Sequence, residues 1–398
     1  MQLKEVVTEQ DKKDFIRANT WINRNDPNYI RPLDKDVRDV FDPAKNKTFR
    51  QGKAIRWILI NDSSELIGRI AAFANKKYRN KGDDVPVGGI GFFDCINDQN
   101  AADMLFDAAK HWLLQQGMEA MDGPINFGER DRWWGLLVKG FAPPLYCMNY
   151  NQPYYQSLFE RYGFNRFFNQ VCFSLNVKER IEQKFYDRHR ACAKDPNYSS
   201  AHIKKNQLEK FANDFTIVYN KAWAGHGGMK EMDRKVVLKL FQSMKPVMDE
   251  RTCWFVYYKD EPIAMWINLP DINQWFKYLN GKFDLFHKLK FLWIKKTKKN
   301  PKFTGIAFGV VPEFQAKGVD SYMIVEGAKV IQQQVPSENG DWNPGNPLYT
   351  DYEMQWIGEF NPKMINIAEN LGTYRSRILT TYRYLFDRTK EFKPHPIL

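Results

Sequence analysis

The chain has 398 residues, more than one hydrophobic core usually serves, so two domains of roughly 150–200 residues each are expected. Hydrophobic residues make up 43% and charged residues 27%, the balance of a globular protein, and no run approaches the ~20 apolar residues that cross a bilayer. The net charge of +12 is uneven: residues 1–200 hold 30 Lys+Arg against 26 Asp+Glu, and residues 201–398 hold 29 against 21.

Five cysteines, Cys95, Cys147, Cys172, Cys192 and Cys253, are odd in number and scattered, with no C-x-x-C, which argues against a disulfide framework or a zinc site. The opening MQLKEVVTEQDKKDFI lacks the apolar run of a signal peptide. A reduced, cytoplasmic setting is expected.

In chain order, a helix over 10–19 and a proline-containing loop precede two strands, 55–60 and 66–75, joined by a turn at Asp62 and its serines. A third strand follows over 88–96. Asp98 then suits an N-cap, and Met104, Leu105, Ala108, Ala109, Trp112 and Leu113 recur at helical spacing up to Gly117. A strand over 118–127, a loop rich in Trp, Gly and Pro over 128–152, a helix over 153–163 and a strand over 167–175 complete the first half. Residues 176–200 are polar, without an apolar period, and the expected boundary lies there, between domains 1–180 and 200–398.

The second half repeats this order. Helices are expected over 206–222 and 230–247, strands over 253–259 and 262–269 with a turn at Asp260 and Glu261, and a strand over 303–311. Helix 320–334, strand 348–357, helix 362–371 and strand 377–386 follow. Between the second and third of these strands, residues 277–302 carry nine Lys and one Asp, interleaved with Leu, Phe and Trp. This is either a solvated basic face on a packed amphipathic helix or a docking surface for a phosphorylated cofactor, RNA or an acidic lipid surface. The pattern implies mixed α/β layers, with helices flanking a central sheet.

The sharpest motif is 306-IAFGVVPEFQAKGVDSYMI-324, in which a strand runs through a short loop into a helix. Helix N-termini carry free N–H groups and the positive end of the helix dipole, so they attract phosphate. Gly318 permits positive φ or close backbone approach, Lys317 adds positive charge, and Asp320 sets a negative charge nearby. The run resembles the phosphate-binding motif A of the GNAT superfamily of acyl-CoA N-acyltransferases, [QR]-x-x-G-x-[GA] after a strand ending V-x-P. It matches at Val310 or Val311, Pro312, Gln315 and Gly318, and departs at Asp320. The run 151-NQPYYQSLFERYGF-164 resembles the superfamily's closing helix and strand. The strings 66-LIGRIAAFAN-75, 122-DGPINFGERDRWWGLLVKGF-141 and 312-PEFQAKGVD-320 extend the resemblance, over most of the chain, to tandem GNAT-like proteins of bacteria.

That resemblance implies two GNAT-like domains and an acetyl-CoA or longer acyl-CoA co-substrate. Val310, Val311, Gln315, Ala316, Lys317, Gly318, Val319 and Asp320 would hold the cofactor. With Phe92 set on Phe308 and Ala109 on Ala328, the first half is three residues shorter, 17 against 20, and the loss falls in the phosphate loop. The first domain is therefore expected to be structural or to wall a substrate cleft.

Acyl transfer from a thioester to an amine needs a base, a polarised carbonyl and an acid for the leaving thiolate. Asp351 and Glu353 point to one face of a strand, and as a carboxylate pair could have a raised pKa suited to a base. Tyr374 follows helix 362–371, where the superfamily often places its acid. His226, between glycines in 223-WAGHGG-228, and Trp133 and Trp134 are candidate substrate contacts. No metal-ligand spacing of histidines occurs, and P-loop, α/β-hydrolase and dinucleotide motifs are absent. The expected activity is acyl transfer to a small-molecule or protein amine. An aminoacyl-tRNA-dependent transferase of the Fem type, which would bind tRNA through the basic segment, and a non-catalytic binding module are the alternatives.

Overall fold

The computed structural model describes residues 1–223, 231–338 and 342–397. The first half runs β1 (Gln2–Glu5), α1 (Glu9–Ile22), α2 (Asp34–Val40), β2 (Gly52–Ile60), β3 (Leu66–Asn75), β4 (Val87–Cys95), α3 (Gln99–Gln115), β5 (Ala120–Gly123), β6 (Leu136–Lys139), α4 (Tyr155–Tyr162) and β7 (Asn165–Asn176). After α5 (Gln183–Ala193) come β8 (Tyr198–His202), α6 (Leu208–Trp223), α7 (Arg234–Met244), β9 (Trp254–Tyr258), β10 (Glu261–Pro270), α8 (Asn273–Phe276) and α9 (Leu285–Thr297). Then follow β11 (Lys302–Val310), α10 (Val319–Ile331), the short pair β12 (Val335–Pro336) and β13 (Trp342–Asn343), β14 (Asp351–Gly358), α11 (Pro362–Asn370) and β15 (Tyr374–Leu385).

Local chemistry accounts for most of these elements. Thr8 and Asp11 form a capping box at the start of α1, and the Asp98 carboxylate accepts from the Ala101 N–H at 3.0 Å to open α3. β3 is buried along nearly its whole length because helices cover both faces. Ile67, Ala72 and Ala74 pack with Leu105 and Ala109 of α3, while Leu66, Ala71 and Phe73 pack with Phe15 and Ile16 of α1. The β9–β10 turn sits one residue earlier than expected, because Lys259 and Asp260 take the left-handed conformation, φ 48° and 65°. Two such residues match the twist of a tight hairpin.

Among the described residues, thirteen strands form one sheet, in the order β1-β2-β3-β4-β5-β15-β7-β14-β11-β10-β9-β8, with β6 also on β15. The order reads alike from both ends: each half supplies an edge strand, a hairpin and a parallel pair. The last strands are exchanged. β15, from the C-terminal half, pairs with β5, while β7, from the N-terminal half, pairs with β14. Arg383 on β15 anchors the exchange, with Nε and Nη2 donating to Asp122 at 2.7 and 2.9 Å and Nη1 lying 2.8 Å from Asp83.

The polar stretch 176–200 contains a packed helix. Phe185, Tyr186, His189 and Cys192 of α5 are buried, on the side that meets α10. The spacing is helical, but Tyr, His and Cys carry it in place of aliphatic residues, which is why it escapes a search for an apolar period.

Candidate active site

β11 and β14 are parallel and paired only over Lys302–Gly305 and Asp351–Met354. Beyond Gly305 and Met354 their ladder stops, while β11 stays paired with β10 and β14 with β7. Two strands that part in this way leave backbone donors and acceptors facing the gap. The β10–β11 register slips between Ile267 and Asn268, so Ile306 has no partner on β10 and stands 47% exposed. Bulges of this kind re-aim side chains beside functional clefts.

β11 leads through Val310 and the buried Val311 into a largely exposed loop and then α10. The loop turns on two left-handed residues, Ala316 at φ 59° and Gly318 at φ 80°. Gln315 braces it by donating to the Val310 carbonyl at 3.1 Å, and Lys317 lies over the Phe314 ring at 5.2 Å. Gly318 is the N-cap residue of α10 and provides no side-chain cap, so the first turn keeps its N–H groups for another acceptor. Val319 is buried in the second core, and Asp320 is half-buried in the first turn. The equivalent turn of α3 is filled by Asp98 of its own chain.

Helix α5 closes one side of the loop. The Cys192 thiol donates to the Lys317 carbonyl at 3.4 Å, and a Cβ on Gly318 would lie 3.4 Å from Cβ of Arg188. The stem of Arg188 is thus rooted beside the loop, an arginine that the sequence reading passed over. Its signal was available: it follows Tyr186 and precedes His189 on the packed helix.

The candidate catalytic carboxylates do not form a pair. Asp351 is exposed and accepts from the Thr350 hydroxyl. Glu353 is 1% exposed, accepts from Arg377 Nε at 2.6 Å and Nη2 at 3.2 Å, and is also ion-paired to Lys302. Burial pushes its carboxyl up, but Arg377 and Lys302 outweigh burial and hold it below the usual carboxylate range. The raised pKa expected of a base is therefore corrected to a lowered one. Arg377 also donates to the carbonyls of Ala142 and Pro143 in the first half, so the cluster ties the halves together. Glu353 lies on the paired stretch of β11 and β14, before the gap. Tyr374 is 62% exposed, at the start of β15, opposite Ser174.

The first half has its own parted strands. β4 and β5 pair over Val87–Gly89 and Ala120–Asp122, and the β3–β4 register slips where Phe92 adopts φ 50°. A cavity of about 60 Å³ lies here, lined by Arg69, Phe92, Asp94, Trp133, Tyr146 and their neighbours, including Asn273 from the second half. Such a volume holds a few waters. Asp94, 2% exposed, accepts from Arg69 Nε at 2.6 Å, from Asn19 at 2.9 Å and from the Tyr155 hydroxyl at 3.2 Å. Trp133 thus lines this cavity, whereas Trp134 packs beside Tyr78 and Arg130. Asn19 on α1 and Asn23, its C-cap residue one turn on, were the sequence signal for the buried Asp94 cluster. His226 lies outside the described residues.

The chain has the tandem GNAT fold. It superposes on the tandem GNAT protein from the clavulanic acid biosynthesis pathway with a TM-score of 0.51 at 9% identity, covering 98% of this chain and 99% of that one. It also matches a fungal multi-domain GH3 β-N-acetylglucosaminidase containing a GCN5-related glucosamine N-acetyltransferase region, with a TM-score of 0.51 at 11% identity; that match covers 96% of this chain and 38% of the longer fungal one. In sequence, the chain is similar to the bacterial ceramide synthase of Caulobacter vibrioides, 26% identical over 379 residues, which cover 93% of this chain and 95% of the relative. It is also similar to protein YghO of Escherichia coli K12, 24% identical over 371 residues, which cover 92% and 90%. No protein-family model matches the chain.

Proposed function

We propose that this protein is an acyl-CoA-dependent N-acyltransferase that forms an amide on a long-chain amine. The observation that carries the reading is the uncapped, left-handed Gly318 loop, where β11 leaves the gap between β11 and β14. In the proposed complex the CoA pyrophosphate lies at the first turn of α10, with Lys317 and Arg188 as cations beside it. The backbone groups facing the gap hold the pantetheine arm and polarise the thioester carbonyl. The amine nitrogen attacks that carbonyl, the C–N bond forms, the C–S bond breaks, and the nitrogen loses a proton as the thiolate gains one.

The amine class follows from the relative named a ceramide synthase, since a ceramide is the amide of a fatty acid with a long-chain amino alcohol. Asp351 and Tyr374, both exposed, remain candidates for the proton transfers. Glu353 is better suited to holding the halves together, because two cations stabilise its ionised form.

Thermal-shift titration with acetyl-CoA, long-chain acyl-CoAs and free CoA tests the reading. A ligand that binds only the folded state, at ~100 times its Kd, adds about 2.7 kcal/mol. A saturable rise in Tm that is lost in Gly318→Asp is expected. No rise with any CoA species overturns the cofactor assignment, and binding of charged tRNA that weakens steeply with salt would favour aminoacyl transfer instead.

A further inference from the structure

Helix α9 has two apolar faces and only one is covered. Phe291 and Ile294 are buried against Leu33, Trp275, Phe276 and Leu279. Away from that contact, Leu285, Phe286, Leu289, Leu292 and Trp293 are 76, 70, 62, 57 and 60% exposed. At 3.6 residues per turn these five fall within an arc of about 120°. Lys288 borders the arc on one side, and Lys296, Lys298 and Lys299 are exposed at its C-terminal end; Lys290 and Lys295 also flank the helix, but their Nζ atoms donate to the carbonyls of Tyr278 and Pro246. Isolated exposed leucines are ordinary, but five large apolar side chains side by side mark an interaction surface.

Charge identifies the occupant. Residues 277–302 carry nine Lys and one Asp, and four of these lysines, Lys288, Lys296, Lys298 and Lys299, are exposed on or just beyond α9, so the rim of the arc is cationic. A second copy of the chain would bring lysine rim against lysine rim, because a two-fold contact repeats the same patch on both sides. RNA would match the lysines but leave the leucines in water. An anionic bilayer satisfies both, with phosphates at the lysines and acyl chains at Leu, Phe and Trp. α9 has thirteen residues, and no helix among the described residues is long and apolar enough to cross a membrane.

We infer that α9 is an interfacial helix that docks the protein on anionic phospholipid bilayers. The covered face of α9 belongs to a cluster that includes Leu33 and Tyr146, both of which line the cavity of the first half. Docking therefore sets that cavity close behind the membrane-bound helix. The inference stands on this surface, independently of the proposed acyl transfer, because vesicle binding is measured without any acyl-CoA.

The experiment is co-sedimentation of the full chain with vesicles of equal parts phosphatidylglycerol and phosphatidylcholine, with pure phosphatidylcholine vesicles in parallel. Partition onto the anionic vesicles is expected. The double variant Leu289→Glu/Trp293→Glu should lose roughly tenfold or more of it, with Tm unchanged since both side chains are exposed. Lys288→Glu/Lys296→Glu should also weaken it, and added salt should do the same. The inference is overturned if the wild-type chain stays in solution, or if Leu289→Glu/Trp293→Glu sediments as fully as wild type. It is equally overturned if that variant converts a dimer to a monomer in sedimentation velocity, which would make the arc an interface between copies.

Discussion

Replacing Glu353 by Gln separates a structural clamp from a catalytic base. The wild-type carboxylate faces Arg377 and Lys302 in a site where Glu353 and Arg377 are 1% and 2% exposed. Removing one partner of a buried pair leaves uncompensated charge, at a cost of about 3–5 kcal/mol. Arg377 keeps its bonds to the carbonyls of Ala142 and Pro143, which places the expected cost at the lower end. Because both halves share one sheet, the whole chain is the unfolding unit, and at about 1.2 °C per kcal/mol for that size Tm should fall by roughly 4 °C. Differential scanning calorimetry at neutral pH reads this directly.

The pH dependence has a definite sign. The folded pKa of Glu353 is depressed below its ordinary 4.5, so the pair stabilises the fold above that value. The contribution is lost as pH falls from the unfolded pKa through the folded one. The Gln variant should lack this component of the acid slope, so its Tm difference from wild type should shrink on acidification. A variant that keeps its Tm within about 1 °C yet loses amide formation would refute the structural reading and restore Glu353 as the base.

Because β7 and β15 are exchanged, neither half carries a complete sheet. Residues 1–197 expressed alone, without β15, should show no cooperative unfolding transition, and adding residues 198–398 in trans should restore one; a cooperative transition in the isolated fragment would contradict the exchange. All five cysteines are free and buried, and burial raises the thiols of Cys147 and Cys253 to about 12. A thiol reagent at pH 8 should therefore leave the native chain unlabelled over minutes and titrate five groups in denaturant, and rapid native labelling would show that these segments open.

Much of the fold was legible because its signals are local. Asp98, the apolar spacing of 104–113 and Gly117 define α3 within one run of chain, and the strand expected over 66–75 coincides with β3. The strand–loop–helix at Gly318 was legible for the same reason: strand, glycine and helix are contiguous, and the three-residue deficit in the first half is visible by counting. Residues 277–302 leave both readings open in the sequence, since a lysine-rich helix with two apolar faces has the same composition whether one face or both are covered.

What sequence could not supply depends on contacts across long separations. Alternation puts residues 351 and 353 on one face of a strand, yet Glu353 is buried because Arg377 and Lys302 converge on it, and Asp351 is not. Trp133 and Trp134 are neighbours in the chain, but Trp133 lines a cavity with Asp94 while Trp134 packs on Tyr78. The exchange of β7 and β15 joins residues about 200 positions apart, and a strand's own residues do not say which edge it will meet. The sequence by itself determined the helices, most strands, the loop and turn at Gly318 and the basic apolar segment, since each follows from periodicity, capping and turn chemistry over a few residues. Tertiary structure alone decided which strands pair, which charges are buried together and which face of α9 is left open, because burial and charge pairing depend on what the rest of the chain brings alongside.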